Sequence, residues 1–288
     1  MARALLLVVL VALAIPAAAN DSRLGKPDTV QSEFQFDPVQ LVEAEVLICL
    51  DTDANPGFSD PTMLYHDAFA AAGASPIATC AVEVSGGTIN FPPGLTGNSY
   101  PIVVVLTSEN WWSSPQSIDP EDEEALALYL DSGGNLLIVG QDYMYGAHPT
   151  MGVCSGFPRE YLGLDRCYQD VLWGPNTASI TGTPTGIFEG VSATLDSSNV
   201  FISNPFFPDC ADPMPTARSG FTLVEAAQTG VVIYNETDTY RTVWSGIELA
   251  AAPPESFNGI IEKIYDWFIG TTPVERSSWA RIKAHYDR

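Results

Sequence analysis

The sequence predicts an α/β protein built on a doubly wound, mostly parallel sheet with a loop-rich insertion. Two observations carry this reading. Three continuous apolar runs, "EVLICLD" from Glu45, "PIVVVLT" from Pro101 and "NLLIVG" from Asn135, have the composition of strands buried on both faces. Helical sequence separates them, which is the alternation of a parallel sheet.

The chain opens with "MARALLLVVLVALAIPAAA", a basic start at Arg3, an apolar run and small residues at Ala17 and Ala19. That layout predicts a signal peptide over residues 1–19, cut after Ala19, and an exported protein. The mature chain then holds eleven basic against 35 acidic residues, a net charge of −24. So many carboxylates repel nucleic acid and anionic membrane surfaces and leave an extracellular protein or a glycan as the expected partner. No second apolar run reaches spanning length, so no membrane is expected in the mature form.

Residues 20–44 are polar and without period, a leader segment ahead of a domain over 45–270. "DPTMLYHDAFAAAG" follows the first strand: Asp60 can cap a helix, Pro61 suits its first position and Gly73 can close it. "PIATCAVEV" then completes a strand, helix and strand unit. After the second apolar run, "IDPEDEEALALYLDSGG" has Asp119 as cap, Pro120 at the start, three acids against the positive helix end and a Gly133–Gly134 stop. Residues 150–227 are rich in Gly, Pro, Ser and Cys and read as an insertion or cap region. "GVVIYNETDTYRTVWSGIE" restores two strands around a polar turn. "ESFNGIIEKIYDWFIG" spaces Phe257, Ile260, Ile261, Ile264 and Phe268 along one helical face. The tail over 271–288 is basic, with Arg276, Arg281, Lys283 and Arg288.

Five cysteines in an exported chain permit disulfides and leave at least one thiol unpaired. Cys49 lies within an apolar strand, where a free buried thiol is expected. Cys154, Cys167 and Cys210, in loop-rich sequence, are the disulfide candidates.

"VLICLDTD", "YHDAFAAAG", "YPIVVVLTSENWW", "EDEEALALYLDSGGNLLIVGQDYMYG" and, more faintly, "YRTVWSGIE" together resemble class I glutamine amidotransferase-like domains of flavodoxin-like architecture, of the branch found in secreted multidomain bacterial proteins. The catalytic relatives need a thiol or hydroxyl at the turn after the third apolar run, activated by a histidine that an acid orients. Here Gln141 and Asp142 occupy that turn. Ser245, Gly246, Ile247 and Glu248 stand where a His-Pro-Glu run belongs, and His66, His148 and His285 lie elsewhere. The resemblance therefore implies the fold without its nucleophile.

In such a fold, ligands bind outside the carboxyl ends of the strands. That edge would collect Asp51, Asp53, Glu109, Trp111, Trp112, Gln141, Asp142 and Tyr143 as one crevice. Three roles are open to it. Clustered carboxylates suit calcium, and "DTDANPGFSD" begins like a calcium loop with Asp51 and Asp53 as ligands, although Pro56 adds a residue and Thr62 replaces the closing glutamate. Crowded carboxylates also suit acid and base work on a glycan stacked against Trp111 and Trp112. Alternatively they cap their own loops. With no other cofactor expected, the reading is an exported non-catalytic binding or accessory domain; the alternative is a carboxylate-based hydrolase acting on glycans or another polar extracellular substrate.

Overall fold

A computed structural model describes residues 44–51, 60–81, 89, 91–107, 118–141, 143–144, 152–172, 174–200, 206–226 and 230–270. All fall in one unit, Val42–Arg288. The expected signal over 1–19, most of the expected leader over 20–44 and the basic stretch over 271–288 lie outside the described residues.

The elements run β1 (Val46–Asp51), α1 (Thr62–Ala72), β2 (Ile77–Ala81), β3 (Ile102–Thr107), α2 (Pro120–Asp131), β4 (Asn135–Val139), β5 (Gly152–Val153), α3 (Phe157–Glu160), β6 (Leu164–Tyr168), β7 (Thr177–Gly182), β8 (Ser192–Asp196), β9 (Cys210–Pro213), β10 (Ala217–Leu223), β11 (Val232–Glu236), β12 (Arg241–Ser245) and α4 (Pro254–Phe268). One nine-stranded sheet has the order β2-β1-β3-β4-β12-β11-β10-β7-β8, and β5-β6-β9 form a small second sheet.

The strand order corrects the expected doubly wound, mostly parallel sheet. The pairings from β2 across to β12 are parallel, but every pairing from β12 out to β8 is antiparallel. The sheet is therefore mixed. Among the described residues after β4 no strand-helix-strand unit joins parallel neighbours, and beyond β12 the sheet grows through antiparallel pairs. The region over 150–227 supplies three of those strands, β7, β8 and β10. In β7 and β8, Ala178, Ile180, Ala193 and Leu195 point inward between exposed or half-buried Thr and Ser neighbours. That is a two-residue period written in small residues, too weakly apolar to announce itself.

The apolar runs of β1, β3 and β4 feed two cores. Val46, Ile48, Leu50, Ile102, Val104, Leu106, Leu137 and Val139 face α1 and α4. Leu47, Val103, Val105, Leu136 and Ile138 face α2 and the small sheet. Successive strand residues point to opposite faces, so a strand covered on both must be apolar throughout. α4 buries Phe257, Ile260, Ile261, Ile264 and Phe268, the stripe its spacing predicts.

A knot of polar groups sets the start of three strands. The buried Tyr129 hydroxyl lies 2.8 Å from the Tyr100 carbonyl, 2.9 Å from the Asn135 carbonyl and 3.1 Å from the Asn135 N–H. The Asn135 side chain donates to the Pro101 carbonyl (3.2 Å) and accepts from the Arg241 N–H (3.0 Å). Gly134 is needed beside it, because a Cβ there would collide with the Tyr129 ring.

The cysteines pair Cys49–Cys80 and Cys154–Cys167, leaving Cys210 free and buried. Cys154 and Cys167 meet as candidates; Cys210 does not join them, and the expected free thiol of Cys49 is corrected. Cys49 and Cys80 are direct partners across β1 and β2, 4.6 Å apart at Cα, a register no sequence count reveals. Disulfides persist in oxidising compartments, which supports an exported protein. Among the described residues no helix is long and apolar enough to cross a membrane.

Alkylation of the denatured, unreduced protein should label one thiol, Cys210, as read by intact mass. Replacing both Cys49 and Cys80 by Ala should cost about 3 to 4 kcal/mol in denaturant melts, the entropy of closing their loop.

Candidate functional site

The parallel half directs the carboxyl ends of its strands to one edge. Register brings Asp51 opposite Thr107, Leu106 opposite Val139, and Val139 opposite Ser245. β2 lies to one side of β1 and β3 to the other, so the chain reverses its winding there, and the β1–β3 gap is the position open α/β sheets use for ligands.

Of the crevice residues expected from sequence, Asp53, Glu109, Trp111, Trp112 and Asp142 lie outside the described residues, as does the side chain of Asp51. Gln141 and Tyr143 are placed, and both turn inward. The Gln141 Oε1 accepts from the Phe207 N–H at 3.0 Å, and the Tyr143 hydroxyl donates to Glu123 Oε1 at 2.8 Å. Burial, with the neighbouring Glu123 charge, pushes the Tyr143 phenol well up. The calcium expectation rests on Asp51 and Asp53, beyond what is described. Among the described residues no group of three or more His, Cys, Asp or Glu is arranged for a metal.

The turn after β4 is gripped from both sides. The Gly140 N–H donates to the Ser245 carbonyl (3.1 Å), and a Cβ at Gly140 (φ 152°) would strike Thr107 Oγ1. Residues 206–210 run over the ends of β4 and β12: the Asp209 N–H donates to the Gly246 carbonyl (2.8 Å) beside the Phe207–Gln141 bond. Glu248, just past β12, is buried, accepts the Tyr65 O–H at 2.6 Å and caps the short turn Leu249–Ala251. Burial raises its pKa, and the tyrosine bond offsets part of that. Four of the five cysteines are in disulfides, and Cys210 is buried with its thiol pushed up by burial.

At this same edge α2 begins with a capping box. Asp119 accepts from the N–H groups of Glu121 and Asp122, and Asp122 accepts from the Asp119 N–H at 3.2 Å and the Ile89 N–H at 2.8 Å. Asp122 is 1% exposed, and burial outweighs those donors and lifts its pKa to about 7.

A second concavity was not foreseen from sequence. Thr185, Thr216, Arg218, Tyr234, Glu236 and Trp267 line a cleft of about 410 Å³, toward the sheet edge where β12 begins. Arg218 and Tyr234 are direct partners across β10 and β11. Arg241 fixes the rim. It bonds Glu236 (Nε 2.8 Å, Nη2 2.7 Å), donates to the Trp267 and Phe268 carbonyls at the end of α4, and lies 5.7 Å from the Trp267 ring centre. Tyr234 meets the same indole edge-on at 5.3 Å. The one sequence signal was Arg218 itself, the single basic residue between Arg166 and Arg241.

The native state binds the Asp122 proton more tightly than the unfolded chain does, so its stabilisation is full below about pH 4 and is lost as pH rises through about 7. Asp122→Asn removes that titration. The stability of this variant relative to the parent should move in its favour between pH 4 and 8 by on the order of a few kcal/mol in chemical melts. Gly140→Ala should lower stability by about 2 kcal/mol or more at any pH, from the forbidden φ and the Thr107 clash.

No family model and no curated protein matches the chain. Solved structures do share its fold. A β-galactosidase from Bacillus circulans sp. alkalophilus aligns over 81% of this chain and 32% of its own, at 15% identity and TM-score 0.52. A cytoplasmic protein from Salmonella typhimurium aligns over 77% and 98% at 12% identity and TM-score 0.49. A carbohydrate deacetylase aligns over 78% and 32% at 12% identity, also at 0.49. The fold likeness rests on the first of these, and the chain spans about a third of that enzyme's length.

Proposed function

We propose that this is an exported glycan-acting protein whose chemistry is carboxylate-based hydrolysis at the gap between β1 and β3. The observation that carries this reading is the register of Asp51 opposite Thr107 at the reversal of winding. From those adjacent strand ends the chain continues into the two segments that hold Asp53 and, with Glu109, the pair Trp111 and Trp112. Two carboxylates of unlike environment give one proton donor and one ionised partner, the pairing glycoside hydrolysis needs. An indole offers the apolar face of a sugar ring a flat partner. The disulfides and the signal-like start support export. The fold shared with a β-galactosidase makes saccharides the first substrates to try.

A second reading, a non-catalytic binding or accessory domain, is favoured by the edge over β4 and β12, where Gln141 is buried, residues 206–210 lie across the strand ends and no thiolate is available. The two readings separate in one experiment. The secreted protein is assayed for release of sugar from aryl glycosides and polysaccharides, and for saccharide binding by calorimetry. Hydrolysis reduced about a hundredfold or more by Glu109→Gln or Asp53→Asn supports the enzyme. Binding without turnover supports the domain, and neither binding nor turnover overturns both.

A further inference from the structure

We infer that the cleft between Arg218 and Trp267 is a binding site for an anionic sugar residue, one carrying a carboxylate or a sulfate ester. This rests on the glycan-acting reading and adds a second site, toward the sheet edge away from the β1–β3 gap.

Arg218 is the central observation. The chain carries 35 acidic against 12 basic residues, so its surface as a whole repels anions. Yet among the described residues no carboxylate is paired with Arg218, which stands exposed on β10 and points into a concavity. The nearby acid does not answer it: Glu236 is held by two nitrogens of Arg241. A guanidinium presents a planar fork that takes carboxylate or sulfate oxygens in pairs.

The remaining walls select a sugar over a bare anion. The Trp267 indole is half-buried and fixed by Arg241 and Tyr234, so it offers apolar surface without having to be ordered on binding. Thr185 and Thr216 are exposed on the lining and bring hydroxyls that both donate and accept, matching ring hydroxyls. Thr185 stands at φ 62°, a left-handed conformation that a β-branched residue adopts at a cost, in the rim of the cleft. The volume of about 410 Å³ lies within the range of small-molecule sites.

The test is calorimetry on the full secreted chain with four probes: an oligogalacturonide, a neutral galactose oligomer of equal length, its sulfated form and inorganic sulfate. At least one acidic oligomer should bind, the neutral one at least about tenfold more weakly, and Arg218→Gln should remove that preference while Arg218→Lys keeps part of it. The melting temperature should not move, since Arg218 is exposed. Whether the uronate or the sulfated form binds identifies the anion. Equal binding of the neutral oligomer, no effect of Arg218→Gln, or inorganic sulfate binding as tightly as the sulfated sugar would each overturn the inference. Glycan hydrolysis that depends on Glu109, together with acidic-oligomer binding that Arg218→Gln leaves unchanged, overturns this site and leaves the proposed function standing. No saccharide binding or turnover at all removes both.

Discussion

The buried hydroxyl of Tyr129 is the point on which the parallel half of the sheet depends. It ties Tyr100, two residues ahead of β3, to the first residue of β4, and Asn135 passes the same constraint on to β12 through the Arg241 N–H. A phenol buried without partners would cost more than its ring contributes, so these carbonyls are obligatory company. Because strands advance by a fixed rise, aligning their starts also aligns their ends. Thr107, Val139 and Ser245 therefore finish side by side, and the turn at Gly140 can grip both neighbours.

The mixed sheet gives the molecule two unlike edges. The parallel strands β1, β3, β4 and β12 end at one edge, and the sequence just past β1 and β3 carries carboxylates and tryptophans. In the antiparallel half, a hairpin turns back on itself, so cross-strand partners such as Arg218 and Tyr234 stand on one face. Arg241 joins the halves. It begins β12, closes the end of α4 and neutralises Glu236, so the cleft's rim and the helix end depend on one side chain.

Much of the parallel half was legible because its signals are local. Asp119, Pro120 and Gly133 bound a helix with the chemistry of caps, and the α4 stripe repeats at the helical period. β7, β8 and β10 were not legible, since Ala, Ser, Thr and Gly alternate too faintly between inside and outside. The Cys49–Cys80 pair was hidden for a different reason: it depends on which residues face each other across two strands, and register is a property of the sheet. Gln141 looked like a crevice residue by its place in the turn, yet its amide is spent on the Phe207 N–H, a partner 66 residues away. The cleft draws on residues from 185 to 267, and only assembly brings them together.

Among the described residues β2 is an outermost strand, and an outermost strand can be lent to a neighbouring molecule. Here that loan is barred by a covalent bond, because Cys80 is fastened to Cys49 at the strand directly beside it. Exchange of β2 between copies would require the bond to open first, so in an oxidising medium each copy keeps its own β2.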